Sequence, residues 1–551
     1  MSTRFADLHC HPTLYGFNRL RNGPDEHDPD RFHPWYVPAS DPNAMEAGDR
    51  ATGYAQIDFP KMVAGGVRIV FASITPIEAG FFRGNPDRGL NTSFPRELLK
   101  LASGATALRS VMALVQEGPK AALHEATAIL RNEGPLRIMV QKLVMKYSLD
   151  RLRFMMSDSY DYWEEFIAEY AYLASKDGQR CEARLDRGPR GDLTVTGTYH
   201  LVRDPAHLEA VLDADEIAVI LSIEGGHVFT IGPDQERVPT DLLFERINAL
   251  KRLPSPLFFV TLAHHFDNGV CGHAHSLPDA GRLVMDQSRR MGEDLEAEDD
   301  LGGRVIRALL DLDDELNDLG GRRILIDAKH MSPLARQTFY RTILEPHNAR
   351  SAEIDGGRGR IPLVLSHIAY ANTRTLDELI AHADQESDTW HRGLANAWGI
   401  NICDEDVQVC HRSGGLMGLV FDQRILGLRP GDRTPEAHLP LVLIEQLLAL
   451  VDVVMLDDRL SEQERRTIWD CVCIGSDYDG VIDPLGCYPT ALSLQEFAED
   501  LRSALSAVKH TRMIDALGVD ALVDKVCWRN AHAFLQRHFA AACGPPEPPR
   551  T

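Results

Sequence analysis

The chain has 551 residues, of which 44% are hydrophobic and 25% charged, and its formal net charge is −23 at pH 7. That balance suits a globular chain, and so negative a surface repels nucleic acid and anionic lipid. No apolar run reaches the ~20 residues of a membrane span, and the opening MSTRFADLHC carries no apolar export signal, so no membrane partner and a cytoplasmic location are expected.

The ten cysteines follow neither zinc-ribbon nor disulfide-framework spacing, which fits a reducing compartment. Cys471 and Cys473, in an apolar run, read as buried thiols.

In chain order, eight short apolar, β-branched runs recur: RFADLH (4–9), VRIVFASI (67–74), EIAVILSI (216–223), LFFVTLAH (257–264), RRILIDAKH (322–330), IPLVLSH (361–367), GGLMGLVF (414–421) and CVCIGSD (471–477). Runs that are apolar throughout predict parallel strands covered on both faces. Between them, 239–253, 300–320 and 332–348 have helical patterning. Eight such strands alternating with helices predict a (β/α)8 TIM barrel, with large insertions after the first, second and sixth strands. A doubly wound sheet is the rival, but no Gly-rich dinucleotide loop follows an early strand.

The barrel is expected to span 1–540. Residues 16–55 should form a loop after the first strand. The 80–200 insertion should be mostly helical, with helices near 94–117 and 159–178, and GDLTVTGTYHLV alternates as a hairpin strand does. A third insertion covers 371–400. The Pro-rich tail 541–551 is expected to be extended and disordered.

Reactive residues of a TIM barrel gather at the C-terminal ends of its strands. Those ends supply His9 and His11, Glu224, His264 and His265, His330, His367 and Asp477. His9 and His11 are two apart, so a strand aims both rings the same way and the pair can hold one divalent ion. Glu224 can bridge to a second ion carried by His330 and His367, and Asp477 can carry a proton to and from a water between them.

Singly, each has a bland reading: the Gly-Gly after Glu224 suggests a turn, and GSDYDG an Asp-Gly turn. His227 reads as a loop or supporting group. One of His264 and His265 must face away if the strand continues, and CGHAHS (271–276) reads as a solvated loop. Together, in this order, the residues point to a metal site.

SIEGGH, VTLAHH, LIDAKHMS, PLVLSHIA, GGLMGLVF and IGSDYDG, in that order over about 216–485, resemble the membrane (renal) dipeptidase family of metal-dependent amidohydrolases. The resemblance implies a binuclear barrel with two divalent ions, most often Zn2+, that cleaves a dipeptide or related small amide, and a tendency to form homodimers. It implies that His9, His11, Glu224, His330 and His367 are ligands. Asp477 is the implied acid/base, and His264 the group that polarises the scissile carbonyl.

Three departures stand out. His9-Cys10-His11 replaces the family's His-x-Asp, exchanging an anionic ligand for a neutral one. The Arg that grips the substrate carboxylate after the sixth strand is missing, leaving Arg374 or Arg392 as the expected substrate-binding substitute. The 80–200 insertion can cover the barrel mouth. DLHCH also resembles the opening of polymerase-and-histidinol-phosphatase-type phosphoesterases, which keeps a phosphoester substrate open, as it does a non-catalytic barrel that binds a partner.

Overall fold

Eight apolar runs become strands: β1 (Phe5–Cys10), β2 (Val67–Ile74), β3 (Ile217–Glu224), β4 (Leu257–Thr261), β5 (Leu325–Asp327), β6 (Val364–Ile368), β7 (Leu416–Leu419) and β8 (Val472–Ile474). Every residue in them is buried except Arg68, as the absence of polar alternation predicts. The computed structural model describes residues 3–36, 39–42, 54–82, 147–277, 285–382, 391–392, 395–396, 398–428 and 440–544.

The strands pair in parallel in the order β2-β1-β8-β7-β6-β5-β4-β3. β3 then returns to β2, in register from Ile69 opposite Ala218 to Ile74 opposite Ile223. The sheet is therefore a closed barrel with no free edge between these strands. A short strand, Tyr199–Leu201, adds in parallel to the N-terminal part of β3.

Helices cross between successive strands: Thr240–Lys251 after β3, Leu301–Leu310 after β4, Asp404–Ser413 after β6 and Pro440–Met455 after β7. After β5 the expected 332–348 helix is longer, running from Pro333 through a π turn at Tyr340–Leu344 to Asp355. The expected 300–320 helix is shorter. It stops at Leu310 because Asp311 adopts a left-handed φ of 62° and pairs with Lys251 Nζ at 2.7 Å.

Two insertions join each other. Cys181–Asp186 and Leu193–Gly197 form the expected hairpin, and Ala39–Ser40, from the first insertion, pairs in parallel with Cys181–Asp186, which becomes the central strand of three. The helix expected at 159–178 spans Tyr162–Ala174. The one expected at 94–117 lies outside the described residues. The last helix, Asn530–Cys543, runs past the boundary expected at 540, and 545–551 lie outside the described residues. None of the described helices is long and apolar enough to cross a membrane.

Helix Tyr162–Ala174 carries a titratable group into the core. Glu169 is 1% exposed and accepts a hydrogen bond from Thr13 Oγ1 at 2.7 Å. Burial pushes its carboxyl up to about 7, although the Thr13 hydrogen bond pulls the other way. A folded-state pKa above the unfolded one gives stability that is fully present below the unfolded value and is lost as pH rises through about 7. Glu169→Gln should therefore melt close to the wild type at pH 5 and higher than it at pH 8. The gain at pH 8 should approach ~2–3 kcal/mol, read from paired denaturation curves.

Candidate metal centre

The C-terminal ends of six strands deliver imidazole or carboxylate to one point. Glu224 ends β3, and His9 lies within β1 with His11 just beyond it. His367 lies in β6, and His330 follows β5. Glu224 Oε1 lies 3.4 Å from His9 Nε2, 3.3 Å from His330 Nε2 and 3.4 Å from His367 Nε2. Its Oε2 lies 3.1 Å from His11 Nε2 and 3.5 Å from His264 Nε2. Asp477, after β8, closes the other side, with Oδ1 3.5 Å from His11 Nε2 and 3.7 Å from His9 Nε2. All seven predicted ligand and catalytic residues, His9, His11, Glu224, His264, His330, His367 and Asp477, are brought together, each at most 8% exposed.

Local backbone shape makes this convergence feasible. His330 and Asp477 hold left-handed φ values of 65° and 59°, strained for residues with a Cβ and tolerated where the surroundings fix them. Gly225 sits at φ 98°, and a Cβ there would fall 2.2 Å from His227 Nδ1. The Gly after Glu224 is thus required by close approach as well as by backbone conformation.

Below the site, buried carboxylates orient it. Asp327 accepts hydrogen bonds from Ser366 N and Oγ at 3.0 and 2.6 Å and from Lys329 N at 3.1 Å. With its proton committed to Asp327, Ser366 Oγ accepts from His367 Nδ1 at 2.8 Å. His367 Nε2 is thereby left with its lone pair toward Glu224 and His330, the tautomer a metal ligand needs. Asp7 accepts from Ser476 N at 2.9 Å and ties β1 to the segment that carries Asp477.

The electrostatics are those of a cation site. Burial would push the Glu224 carboxyl up, but the His264 and His9 charges and hydrogen bonds from His11 and His330 hold it well below its ordinary value. Burial pulls the His330 imidazole down to about 3, against the hydrogen bond to Glu224, and with nearby charges pulls His367 well below 6.5. Burial pulls His11 down too, but hydrogen bonds to Asp477 and Glu224 outweigh it and raise it to about 10. Burial raises the Asp477 carboxyl, as does the nearby Glu224 charge, while the His11 hydrogen bond opposes them.

The residues fit metal binding. Among the described residues, both ring nitrogens of His9, and the Nδ1 atoms of His11 and His330, are buried without a hydrogen-bond partner. Orphaned donors and acceptors of this kind call for an absent partner. Among the described residues three linked groups have ligand atoms within 4.8 Å of one another: His9, Glu224, His367 and Asp477; Glu224, His264 and His330; and Glu78, His227 and His264. Glu224 belongs to the first two and His264 to the last two.

Glu78, the shared orientation of His264 and His265 and the burial of CGHAHS were not expected from the sequence. Glu78, from the segment after β2, contacts His264 Nδ1 at 2.6 Å and accepts from the Phe266 main-chain N at 3.1 Å. Burial pushes its carboxyl up, but the His264 and His227 charges hold it below its ordinary value. His227 supports this pair, with Nε2 3.0 Å from the Pro76 carbonyl and its ring stacked 6.0 Å from His264.

β4 ends at Thr261, so His264 and His265 need not alternate. Both line the cavity, His265 with Nδ1 2.7 Å from Ser276 Oγ. CGHAHS is not solvated: His273 and His275 are buried, and their rings bond the Ala274, Arg289 and Leu277 carbonyls.

A cleft opens above Glu224, lined also by His264, His265 and Asp477. Lys329, Arg424, Ile400, Met285 and Phe81 also line it. Arg374, the expected substrate-binding residue, does not: it is exposed, its main-chain N bonded to Glu378. Its segment turns outward at Thr375, which caps the helix Leu376–Ala381. The Arg392 side chain lies outside the described residues.

No protein-family model and no curated protein matches the chain. Solved structures do. Dipeptidase AC, a metallopeptidase, shares 15% identity over 98% of this chain and 100% of its own, with a TM-score of 0.46. A Rhodobacter sphaeroides metallopeptidase bound to a phosphinate mimic of the dipeptide L-Ala-D-Ala shares 16% over the same coverage, with a TM-score of 0.46. The probable dipeptidase PvdM from Pseudomonas aeruginosa shares 13% over 93% of this chain and 96% of its own, with a TM-score of 0.40.

Proposed function

We propose that the chain is a metal-dependent hydrolase of the membrane dipeptidase type, acting on a dipeptide or related small amide. The supporting observation is the single carboxylate of Glu224 with four imidazole nitrogens 3.1–3.4 Å away, from His9, His11, His330 and His367. In the proposed assignment His9 and His11 hold one ion and His330 and His367 the other, with Glu224 shared. An all-imidazole and carboxylate set of this kind favours zinc.

When bound, two zinc ions would polarise the scissile carbonyl and lower the pKa of a water held there. The chain's own residues do the rest. The Glu78 carboxylate fixes the His264 ring through Nδ1, so that Nε2 faces the cleft and can donate to the carbonyl oxygen as charge develops on it. Asp477 Oδ1, next to both His9 and His11, takes the proton from the attacking water and returns it to the leaving nitrogen. Phe81, Ile400 and Met285 give the cleft part of its apolar lining.

The test is hydrolysis of L-Ala-D-Ala, and of a panel of dipeptides and N-acyl amino acids, before and after chelation. Activity should vanish on chelation and return with zinc or manganese, while aryl phosphates stay intact. Turnover indifferent to chelation and add-back, or confined to phosphate esters, overturns the assignment.

A further inference from the structure

Lys329 is a buried cation whose Nζ, among the described residues, touches no carboxylate. Its side chain lines the cleft beside His330 and is 2% exposed. The one hydrogen bond its Nζ makes among the described residues is to the Ile400 main-chain carbonyl, at 3.4 Å. No carboxylate oxygen among the described residues lies within 4.0 Å of that Nζ. An ammonium group taken out of water needs close partners, and one long contact to a neutral carbonyl does not supply them.

The other cation in the cleft is already matched. Arg424 grips Asp422 with Nε 3.0 and 3.1 Å from the two carboxylate oxygens and Nη2 at 2.6 Å, and it also reaches the Val481 carbonyl. The Asp327 carboxylate is saturated by Ser366, Thr261 and the Lys329 main-chain N. Asp477, Asp327 and Glu224 are near enough to favour the Lys329 charge, but among the described residues none of them contacts its Nζ, so Lys329 is the cation on the cleft wall left without a direct partner.

We propose that Lys329 is the anchor for a carboxylate on the substrate, taking the place of the guanidinium clamp the sequence lacks after β6. This rests on the dipeptidase reading for its substrate and deepens it. Because Lys329 adjoins His330, the anion sits close to the bond being cut, as an α-carboxylate does and a remote side-chain acid does not. An ammonium binds as a point charge rather than as a two-pronged fork, so it should accept a wider range of carboxylate orientations than arginine.

Calorimetric titration of the zinc-loaded full chain tests this with propionate and with a phosphinate isostere of Ala-Ala, as free acid and as carboxamide. The wild type should prefer the acid to the carboxamide by roughly 10- to 100-fold. Lys329→Met should erase that preference and weaken propionate at least about tenfold, while Lys329→Arg keeps both within a few-fold. The Met variant should also melt no lower than the wild type, because an unmatched buried charge has gone.

Propionate affinity that is the same in wild type and Lys329→Met overturns the anchor, whatever the enzyme hydrolyses. Lys329-dependent propionate binding without phosphinate binding upholds the anchor and overturns the dipeptide substrate. If the Met variant fails to fold, Lys329→Gln takes its place in the same comparison.

Discussion

Replacing Asp477 with asparagine should lower kcat for dipeptide hydrolysis by about 10²–10⁴-fold, the usual contribution of a positioned acid–base group. The fold should survive. Asp477 sits at φ 59°, a region asparagine tolerates as well as aspartate, and its main-chain N donates to the His9 carbonyl at 2.9 Å whatever the side chain. The amide is isosteric but cannot take a proton at Oδ1, where the carboxylate faces His9 and His11. Metal content by elemental analysis separates two roles, since Asp477 also lies within ligand range of His9, Glu224 and His367. Lost turnover with both ions retained fits a proton carrier. Loss of an ion along with turnover would make Asp477 a ligand, and unchanged turnover would remove it from the chemistry.

The parts of the site that were legible in the sequence share one property: they are imposed by periodicity. Strands buried on both faces must be apolar along their whole length, so β1 to β8 stand out, and the polar residue at each end stands out against them. His9 and His11 were readable because a strand repeats every two residues and aims both rings alike.

Contacts decided by loops were not legible. Glu78 lies just past the end of β2, a strand end to which no role was given, and what assigns it is the 2.6 Å approach to His264, 186 positions along the chain's course and invisible to spacing. Inspecting every strand end, including those of β2 and β7, would have raised Glu78, Asp422 and Arg424 as candidates.

Lys329 is a harder case. In the run DAKHMS a lysine next to a histidine carries no pattern, and what makes it informative is that among the described residues no carboxylate touches its Nζ. CGHAHS misled for a related reason. Gly-rich polar composition suggests solvent, but the segment around Arg289 folds over it and its rings find main-chain carbonyls.

The second large effect concerns Glu224. Glu224→Gln should reduce bound zinc from two ions to one or none and cut hydrolysis by at least about 10³-fold, the equivalent of several kcal/mol of lost charge stabilisation. The amide keeps the shape but presents one acceptor and one donor where the carboxylate offers two acceptors. Its NH2 group would face either the His9, His330 and His367 nitrogens around Oε1 or the His11 and His264 nitrogens around Oε2. Neither orientation can bridge two cations.

Stability should report the same change independently of turnover. In the metal-free chain Glu224 is the anion that balances His11 and His264, both shifted toward the protonated form. Removing one member of so buried a set costs about 3–5 kcal/mol. Two melting curves check this: chelation should lower the wild-type Tm and leave that of Glu224→Gln, already low, unmoved. A Glu224→Gln protein that still binds two ions and gains stability from them would show that the imidazoles suffice, and would leave Glu224 a role in orienting His264 and His11 rather than in joining the metals.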